Sequence, residues 1–353
     1  MNTVDVRIAY RALHKEFLAF KFDYPLHTVP ESQGVRPLHY FLHSEDLKWE
    51  AMRMDATGIP KAWYRSTGAA YWPAYIAWYG IIALGKYLRA HQQSYLDVFM
   101  RQVDWIERNA TVRRDGAACW PMHFDYKVGN TWLRAPWVSA HAQGLAISAL
   151  VRAYRITHRS SILDLLRRSA AIYSVDHRAG GIRVRFRNLS FYTEVPGGPW
   201  PGILDGFLTS LLGLYDLWDE TGDPNVRERF DEGVTALETT ISSWDYRGKW
   251  SWYGNRAYLC PPAYHCLNRL LLATVGRLAN RTSLERIAGN WDPSHLRLAD
   301  RIEIYSRFVW TKNLTRIRHR TWTERPVASS CSSGHTMKRL PGTRLVSSHH
   351  DAA

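Results

Sequence analysis

Four apolar, helix-length segments recur along this chain, and their spacing limits the possible folds more than any other feature. They cover Trp72–Ala90, Val138–His158, Ile203–Glu220 and Tyr264–Ala279. Their starts lie roughly 60–65 residues apart, which is the mark of a repeated structural unit. Each contains small residues that let helices pack closely. Each is followed by a polar turn and a more amphipathic segment: Ser94–Arg108, Ser160–Ser174, Pro224–Ser242 and Thr282–Ala288. The pattern predicts inner and outer helices in pairs.

The pairs predict a mainly α fold: an incomplete (α/α) toroid of about four helix pairs, with small β-hairpins in the linkers at one end. Inner helices of a toroid are apolar on both sides, which explains their weak amphipathicity. A superhelical solenoid is the alternative, but it needs shorter and more regular repeats. Ser94 and Ser160 are expected N-caps, and Asp223-Pro224 places proline in a first helical turn.

The three linkers between pairs are Asp115–Pro136, Gly180–Pro201 and Trp244–Pro262. The first predicts a hairpin that turns at Gly129-Asn130. The second begins with alternating apolar residues, which favours a strand. Each linker runs from an outer helix back to an inner one, so we expect all three at the same end of the toroid, around one cleft.

Amino-acid composition indicates the extent of the other regions and the kind of binding partner. We expect an N-terminal segment of uncertain structure over residues 1–60, with a first helix near Val4–Phe20. The toroid domain is expected over 61–310 and a disordered basic tail over 311–353. The formal charge of +14 attracts polyanions. Zinc-finger spacing, aromatic RNA-binding motifs and compact Lys/Arg blocks are missing from the sequence, which disfavours nucleic acid.

Further expectations concern location and the cysteines. The sequence shows neither a signal-peptide pattern nor an apolar run of about 18 residues, so we expect no membrane association and a cytoplasmic location. An export signal removed from the chain stays open, as does a homodimer. The four cysteines form no CxxC pair, and buried thiols are favoured over a metal or disulfide site. The 16 tryptophans and 19 tyrosines would fill the core or line a sugar groove.

Several motifs resemble the catalytic region of the D-glucuronyl C5-epimerase family, which converts glucuronic to iduronic acid in heparosan and heparan sulfate precursors. They are Tyr71–Gly80, Trp137–Tyr154, Phe191–Pro196, Leu204–Phe207, Leu212–Leu217, Trp252–Arg256 and Tyr264-His265. The resemblance covers about Gly58 to Leu272. The β-rich N-terminal domains of the family are expected to be largely absent, as in a short bacterial-type member.

The resemblance implies that Glu194 and Tyr264 are the acid/base pair on opposite faces of the uronate ring. It also implies that Tyr253 and Arg256 hold the sugar carboxylate. Two positions depart from the family pattern, because Val195 replaces a tyrosine and Asn268 replaces a histidine. A scheme that uses Glu194 and Tyr264 is unaffected by either change.

The chemistry fits these residue types. Epimerisation at C5 removes a proton α to a carboxylate, and a guanidinium with tyrosine hydroxyls can neutralise the charge that builds. One group acts as base and one as acid across the ring. No metal or other cofactor is required. The expected substrate is an acidic, heparosan-like polysaccharide, and the expected sugar contacts are Tyr71, Trp72, Trp120, Gln143, Tyr192, Trp252 and His265.

Other interpretations stay open. Glu194 could be a capping glutamate, and Tyr264 could simply pack at a helix start. A polysaccharide lyase would form the same carbanion and then eliminate the C4 oxygen. A glycoside hydrolase needs two spaced carboxylates, with Asp205 as a poor second to Glu194. A binding-only protein would hold acidic glycans without catalysis.

Overall fold

The computed structural model describes residues 20, 22, 26–28, 41–43, 53–64, 67–128, 131–198, 200–254 and 257–319. The described chain is mainly helical, as predicted. Its α-helices are α1 (Pro73–Ala90), α2 (Gln93–Arg108), α3 (Ala140–Thr157), α4 (Ser160–Ser169), α5 (Leu204–Thr221), α6 (Pro224–Thr240), α7 (Pro262–Leu278), α8 (Thr282–Asn290) and α9 (Leu298–His319).

Each predicted inner helix begins and ends within two residues of α1, α3, α5 or α7. The predicted serine caps are wrong, because α2 already begins at Gln93 and Ser160 is the first helical residue of α4. The proline predicted in the first turn of α6 is confirmed: Pro224 opens the helix, and the Asp223 carboxylate before it accepts from the Asn225 N–H at 2.8 Å. A side chain that satisfies an end N–H stabilises a helix by about 1 kcal/mol.

The helices form the predicted incomplete (α/α) toroid. Inner helices pack side by side in chain order, α1 against α3, α3 against α5 and α5 against α7. Each outer helix packs on the inner helix before it, α2 on α1, α4 on α3, α6 on α5 and α8 on α7. The apolar inner helices are therefore covered on both sides, which is why the inner segments lack a polar face.

Helices α3 and α5 meet at two glycines. A Cβ on Gly144 would lie 2.4 Å from the Thr209 carbonyl oxygen, and one on Gly213 would lie 2.5 Å from the Gly144 Cα. Only glycine allows such an approach of the two backbones. Further along the same helices, buried Arg152 donates to the Asp216 carboxylate at 2.6 Å. These contacts fix the register of α3 against α5, and with it the relative position of their first turns.

The strands are short, antiparallel and confined to hairpins and three-stranded sheets, as predicted for the linkers. The N-terminal strands are β1 (Leu26–Thr28) with β2 (Phe41–His43), and β3 (Arg53–Met54), β4 (Pro60–Tyr64) and β5 (Gly68–Ala70). The linker strands are β6 (Thr111–Val112), β7 (Ala118–Cys119), β8 (Tyr126–Val128), β9 (Thr131–Leu133), β10 (Arg183–Phe186), β11 (Leu189–Tyr192), β12 (Asp245–Tyr246), β13 (Trp250–Tyr253) and β14 (Tyr258–Leu259).

Contacts of the second and third linkers with the starts of inner helices lie at one end of the toroid. The Ala140 N–H, at the start of α3, donates to the Thr193 carbonyl of the second linker at 2.9 Å. The Trp244 indole N–H of the third linker donates to the carbonyl of Gly202 at 2.8 Å. Residues 129–130, the predicted turn between β8 and β9, lie outside the described residues, although Val128 and Thr131 pair on either side of them.

The outer regions are described only in part. Phe20 and Phe22 pack against Trp250, and Phe20 also packs against Phe308 of α9. The proposed boundary at residue 310 falls inside α9, whose described helix continues to His319. Residues 320–353 and most of 1–52, including the predicted first helix, lie outside the described residues, and the domain division stays a prediction.

The structure bears on two expectations, one about the cysteines and one about membrane-spanning helices. Cys119, Cys260 and Cys266 are buried thiols, as expected, and Cys331 lies outside the described residues. In the described part of the chain, every helix is too short or too polar to cross a membrane.

Candidate active site

Three ionisable side chains meet where the second linker passes the first turns of α3 and α5. His141 is the second residue of α3, Asp205 the second of α5, and Glu194 follows β11 in the linker. One nitrogen or oxygen atom from each lies within 4.8 Å of the other two. The His141 Nδ1 is 3.5 Å from the Glu194 Oε2. We call these residues the His–Glu–Asp cluster.

Gly206 is what allows Glu194 to reach this position. A Cβ on Gly206 would lie 2.3 Å from the Glu194 Oε2 and 2.6 Å from its Cβ. The carboxylate therefore lies directly against the first turn of α5, where the helix dipole favours negative charge. Gly206 is one of the small residues in the predicted inner helices, and it makes room for Glu194 instead of for a neighbouring helix.

Burial and mutual charge control the electrostatics of the His–Glu–Asp cluster. Burial, and then the charge of Glu194, raise the pKa of Asp205 to about 7, although His141 acts against them. Burial alone would lower the pKa of His141, but Glu194 and Asp205 raise it on balance. Asp205 can thus gain or lose a proton near neutral pH beside a buried imidazole whose charged form the two carboxylates favour.

Tyrosines from the third linker and α7 form one side of the cleft. Tyr253 ends β13, and its ring meets that of Tyr264 edge-on with centroids 5.6 Å apart. Tyr264 is the third residue of α7, and 38% of its surface is exposed to solvent.

The pKa values tie these tyrosines to the cluster. Removal of the Tyr264 hydroxyl from water by the surrounding protein raises its pKa well above the ordinary value. The neighbouring Tyr75 and the charges of Asp205 and Glu194 raise it further. Burial, neighbouring tyrosines and the same two carboxylates raise the pKa of Tyr253. Both phenols therefore lie within range of the charges of Asp205 and Glu194, and their raised pKa values keep both protonated.

A second group of tyrosines lies close enough to Glu194 to be affected by its charge. It consists of Tyr64 on β4, Tyr75 on α1 and Tyr126 on β8. Burial raises the pKa of each, to about 12 for Tyr126, and the charge of Glu194 contributes in all three. Neutral tyrosine hydroxyl groups on several elements thus lie within reach of the Glu194 charge.

The structure brings together three of the four predicted catalytic residues: Glu194, Tyr253 and Tyr264. Arg256 lies outside the described residues. His141 and Tyr75 were overlooked as site residues, although both lie in motifs that carry the family resemblance, because those motifs consist mostly of packing residues. Asp205 was considered only as a poor second carboxylate for a hydrolase.

The predicted sugar contacts at Trp120, Gln143 and Tyr192 are wrong, because all three side chains are buried and bonded within the protein. The Trp120 indole N–H donates to the Ile106 carbonyl at 2.8 Å. The Gln143 amide donates to the carbonyls of Ala118 and Ser169 at 3.0 and 3.1 Å. The Tyr192 hydroxyl donates to the Arg229 carbonyl at 2.7 Å.

His265 and Trp72 are also buried instead of facing a sugar. His265 stacks on Trp250 and accepts from the Ser251 N–H at 3.1 Å, and burial lowers its pKa to about 3. Trp72 packs behind the cleft against Tyr64, with ring centroids 5.1 Å apart. Both side chains belong to the packing that supports the site.

Tyr71 and Trp252 remain predicted sugar contacts. Tyr71 is partly exposed, and its hydroxyl donates to the Asp55 carboxylate at 2.7 Å. Trp252 is partly buried and meets Tyr246 edge-on, with centroids 5.4 Å apart. These neighbours lie outside the His–Glu–Asp cluster.

The two departures from the family pattern are both buried. The Asn268 amide donates to the Ser251 hydroxyl and the Cys260 sulfur, both at 3.3 Å. Asn268 therefore joins α7 to the chain around β13 and β14, and it faces the interior. Val195 is an apolar neighbour of Gly198 next to Glu194.

Carboxylate and imidazole groups are also metal ligands. In the described part of the chain, His141, Glu194 and Asp205 are the residues whose ligating atoms lie close enough together to hold an ion. The expectation that no metal is needed stays a prediction.

Fold and cleft together define an (α/α)-toroid protein with acid–base groups at the end where its linkers return. The family model for the D-glucuronyl C5-epimerase C-terminus matches residues 114–293, which include the His–Glu–Asp cluster, Tyr253 and Tyr264. The chain belongs to this epimerase family.

Two curated relatives match part of this chain. A D-glucuronyl C5-epimerase of Caenorhabditis elegans is 25% identical over 233 residues, which are 60% of this chain and 37% of the relative. An uncharacterised protein of Methanocaldococcus jannaschii is 27% identical over 190 residues, 53% of this chain and 58% of the relative. This chain thus matches only part of each relative's length.

Solved structures show weaker similarity. A GH76 α-mannanase of Bacteroides thetaiotaomicron has a TM-score of 0.45 and 12% identity, covering 82% of this chain and 69% of its own. A D-mannose isomerase has a TM-score of 0.42 and 11% identity, with 82% and 70% coverage. Similarity at this level assigns no activity.

Proposed function

We propose that this protein inverts C5 of D-glucuronic acid to give L-iduronic acid in a heparosan-like polysaccharide. The supporting observation is that Glu194, in the second linker, and Tyr264, in the first turn of α7, lie close enough for the charge of Glu194 to raise the pKa of Tyr264. Family membership supports the reaction class. The basic character of the chain suits a polyanionic substrate.

Glu194 and Tyr264 act from opposite faces of the sugar ring. With Glu194 as base, the C5–H bond breaks and its proton joins the carboxylate, while the electron pair spreads into the sugar carboxylate. Tyr264, held protonated by its raised pKa, then donates its proton to C5 from the other face. The roles reverse in the opposite direction.

The sugar carboxylate must be neutralised as charge builds on it. Tyr253 lies edge-on to Tyr264, and its hydroxyl can donate a hydrogen bond to the sugar carboxylate. Arg256 follows Tyr253 by three residues and is the proposed cation. Fixed donors in an enclosed site stabilise such charge more than water does.

Incubation of the protein with heparosan in D2O tests the reaction. We expect deuterium at C5 of the uronic acids and iduronic acid among the disaccharides released by chemical cleavage. Absorbance from an unsaturated uronate would identify a lyase. Binding of heparosan without deuterium incorporation would identify a binding-only protein, and either result would refute the proposal.

A further inference from the structure

The two proposed acid–base groups differ in their access to solvent. Tyr264 as a whole residue is 38% exposed. Only 14% of the Glu194 side chain is accessible, and its Oε2 is enclosed without a hydrogen-bond partner among the described residues. After one turnover in the direction described above, Glu194 holds a proton and Tyr264 lacks one. Solvent can reach Tyr264 directly, whereas Glu194 needs a neighbour to remove its proton.

His141 is placed to be that neighbour. Its Nδ1 faces the Glu194 Oε2 at 3.5 Å, and catalytic contacts of this length commonly shorten when substrate binds. The other imidazole nitrogen, Nε2, is buried and has no partner among the described residues. Asp205 lies within the same cluster and is almost wholly buried.

We propose that His141 takes the abstracted proton from Glu194 between turnovers, and that Asp205 is the carboxylate that stabilises the resulting imidazolium. The inference rests on the proposed function. The O–H bond of Glu194 breaks and an N–H bond forms on His141, which leaves Glu194 ionised again. The imidazolium loses its proton to solvent after the product has left the cleft.

The electrostatics support this sequence of steps. Glu194 and Asp205 raise the pKa of His141 despite its burial, which favours the imidazolium, and the pKa of Asp205 is raised to about 7. The tyrosines that face the cluster all have raised pKa values, so they stay neutral and do not compete for the proton. They are Tyr64, Tyr75, Tyr126, Tyr253 and Tyr264.

Pre-steady-state kinetics of His141→Gln test the relay, because glutamine keeps a donor beside Glu194 but cannot accept the proton. At high enzyme concentration we expect about one iduronic acid per active site at nearly the wild-type rate. Turnover should then slow by about tenfold or more, since general acid–base steps contribute factors of this size and above. The exposed His295 in the short helix after α8 offers a matched control, His295→Gln, with wild-type kinetics in both phases.

The outcomes separate the relay from a structural role. Equal loss in the first and later turnovers, or no loss in either, would overturn it. Activity of the wild type that EDTA abolishes and a divalent cation restores would also overturn it, because the cluster would then be a metal site. A wild-type protein without epimerase activity would instead refute the proposed function.

A second variant at the same position keeps the relay testable if His141→Gln does not fold. In His141→Ala, free imidazole should restore the later turnovers and leave the first one unchanged. The steady-state rate of the wild type should change with pH around 7, where Asp205 gains or loses its proton. Asp205→Asn should remove this change. A pH profile identical to that of the wild type would contradict the role given to Asp205.

Discussion

Replacement of Gly206 by alanine probes the contact that positions Glu194. The new Cβ would lie 2.3 Å from the Glu194 Oε2 and 3.0 Å from its Cδ, where ordinary contacts begin at 3.4 Å. The carboxylate must therefore shift by about 1 Å, and a displacement of this size can cost about 100-fold in rate. Helix propensity acts in the opposite direction, because alanine is about 1 kcal/mol better than glycine inside a helix.

Gly206→Ala should thus lower the epimerisation rate by about 100-fold while the free energy of unfolding changes by no more than about 2 kcal/mol. The rate is measured as deuterium uptake at C5 and the stability by urea titration. Gly289→Ala in α8 is the matched control, because no atom lies within 4 Å of the new Cβ. Wild-type activity in Gly206→Ala would refute the placement of Glu194 against α5.

Three further predictions concern stability. The raised pKa of Asp205 means that its contribution to stability is fully present below pH 4 and is lost as pH rises through about 7, so Asp205→Asn should remove this loss from urea titrations across that range. Gly213→Ala should destabilise the protein by about 1–3 kcal/mol in the same assay, because its Cβ would lie 2.5 Å from the Gly144 backbone. Tyr192→Phe should cost about 1 kcal/mol by removing the hydrogen bond to Arg229 and leave activity unchanged; a large loss of activity would restore Tyr192 to the site.

The helix pairs could be predicted because their signal is local. Apolar runs of helical length, separated by polar turns, define each element without knowledge of its neighbours. Helix ends were predictable where a residue acts on its own backbone, as at Asp223-Pro224. The serine caps failed because Ser94 and Ser160 are already helical.

The site could be predicted only in part, since it depends on which surfaces meet. Trp120 and Tyr192 are aromatic residues of the kind that lines sugar sites, as Tyr264 is. Their polar atoms, however, donate hydrogen bonds to backbone carbonyls inside the fold. The role of His141 arises only when the first turns of α3 and α5 lie side by side. That arrangement follows from the contact of Gly144 with Gly213: the small residues predicted close packing, but the local pattern does not reveal which of them meet.

The central claim is that a carboxylate and a phenol act across one uronic acid. Deuterium uptake at C5 of heparosan by Glu194→Gln and Tyr264→Phe tests it most directly, with folding of each variant checked by circular dichroism. The account predicts that each variant loses at least about 100-fold of the wild-type rate. A near-wild-type rate in either variant would contradict it.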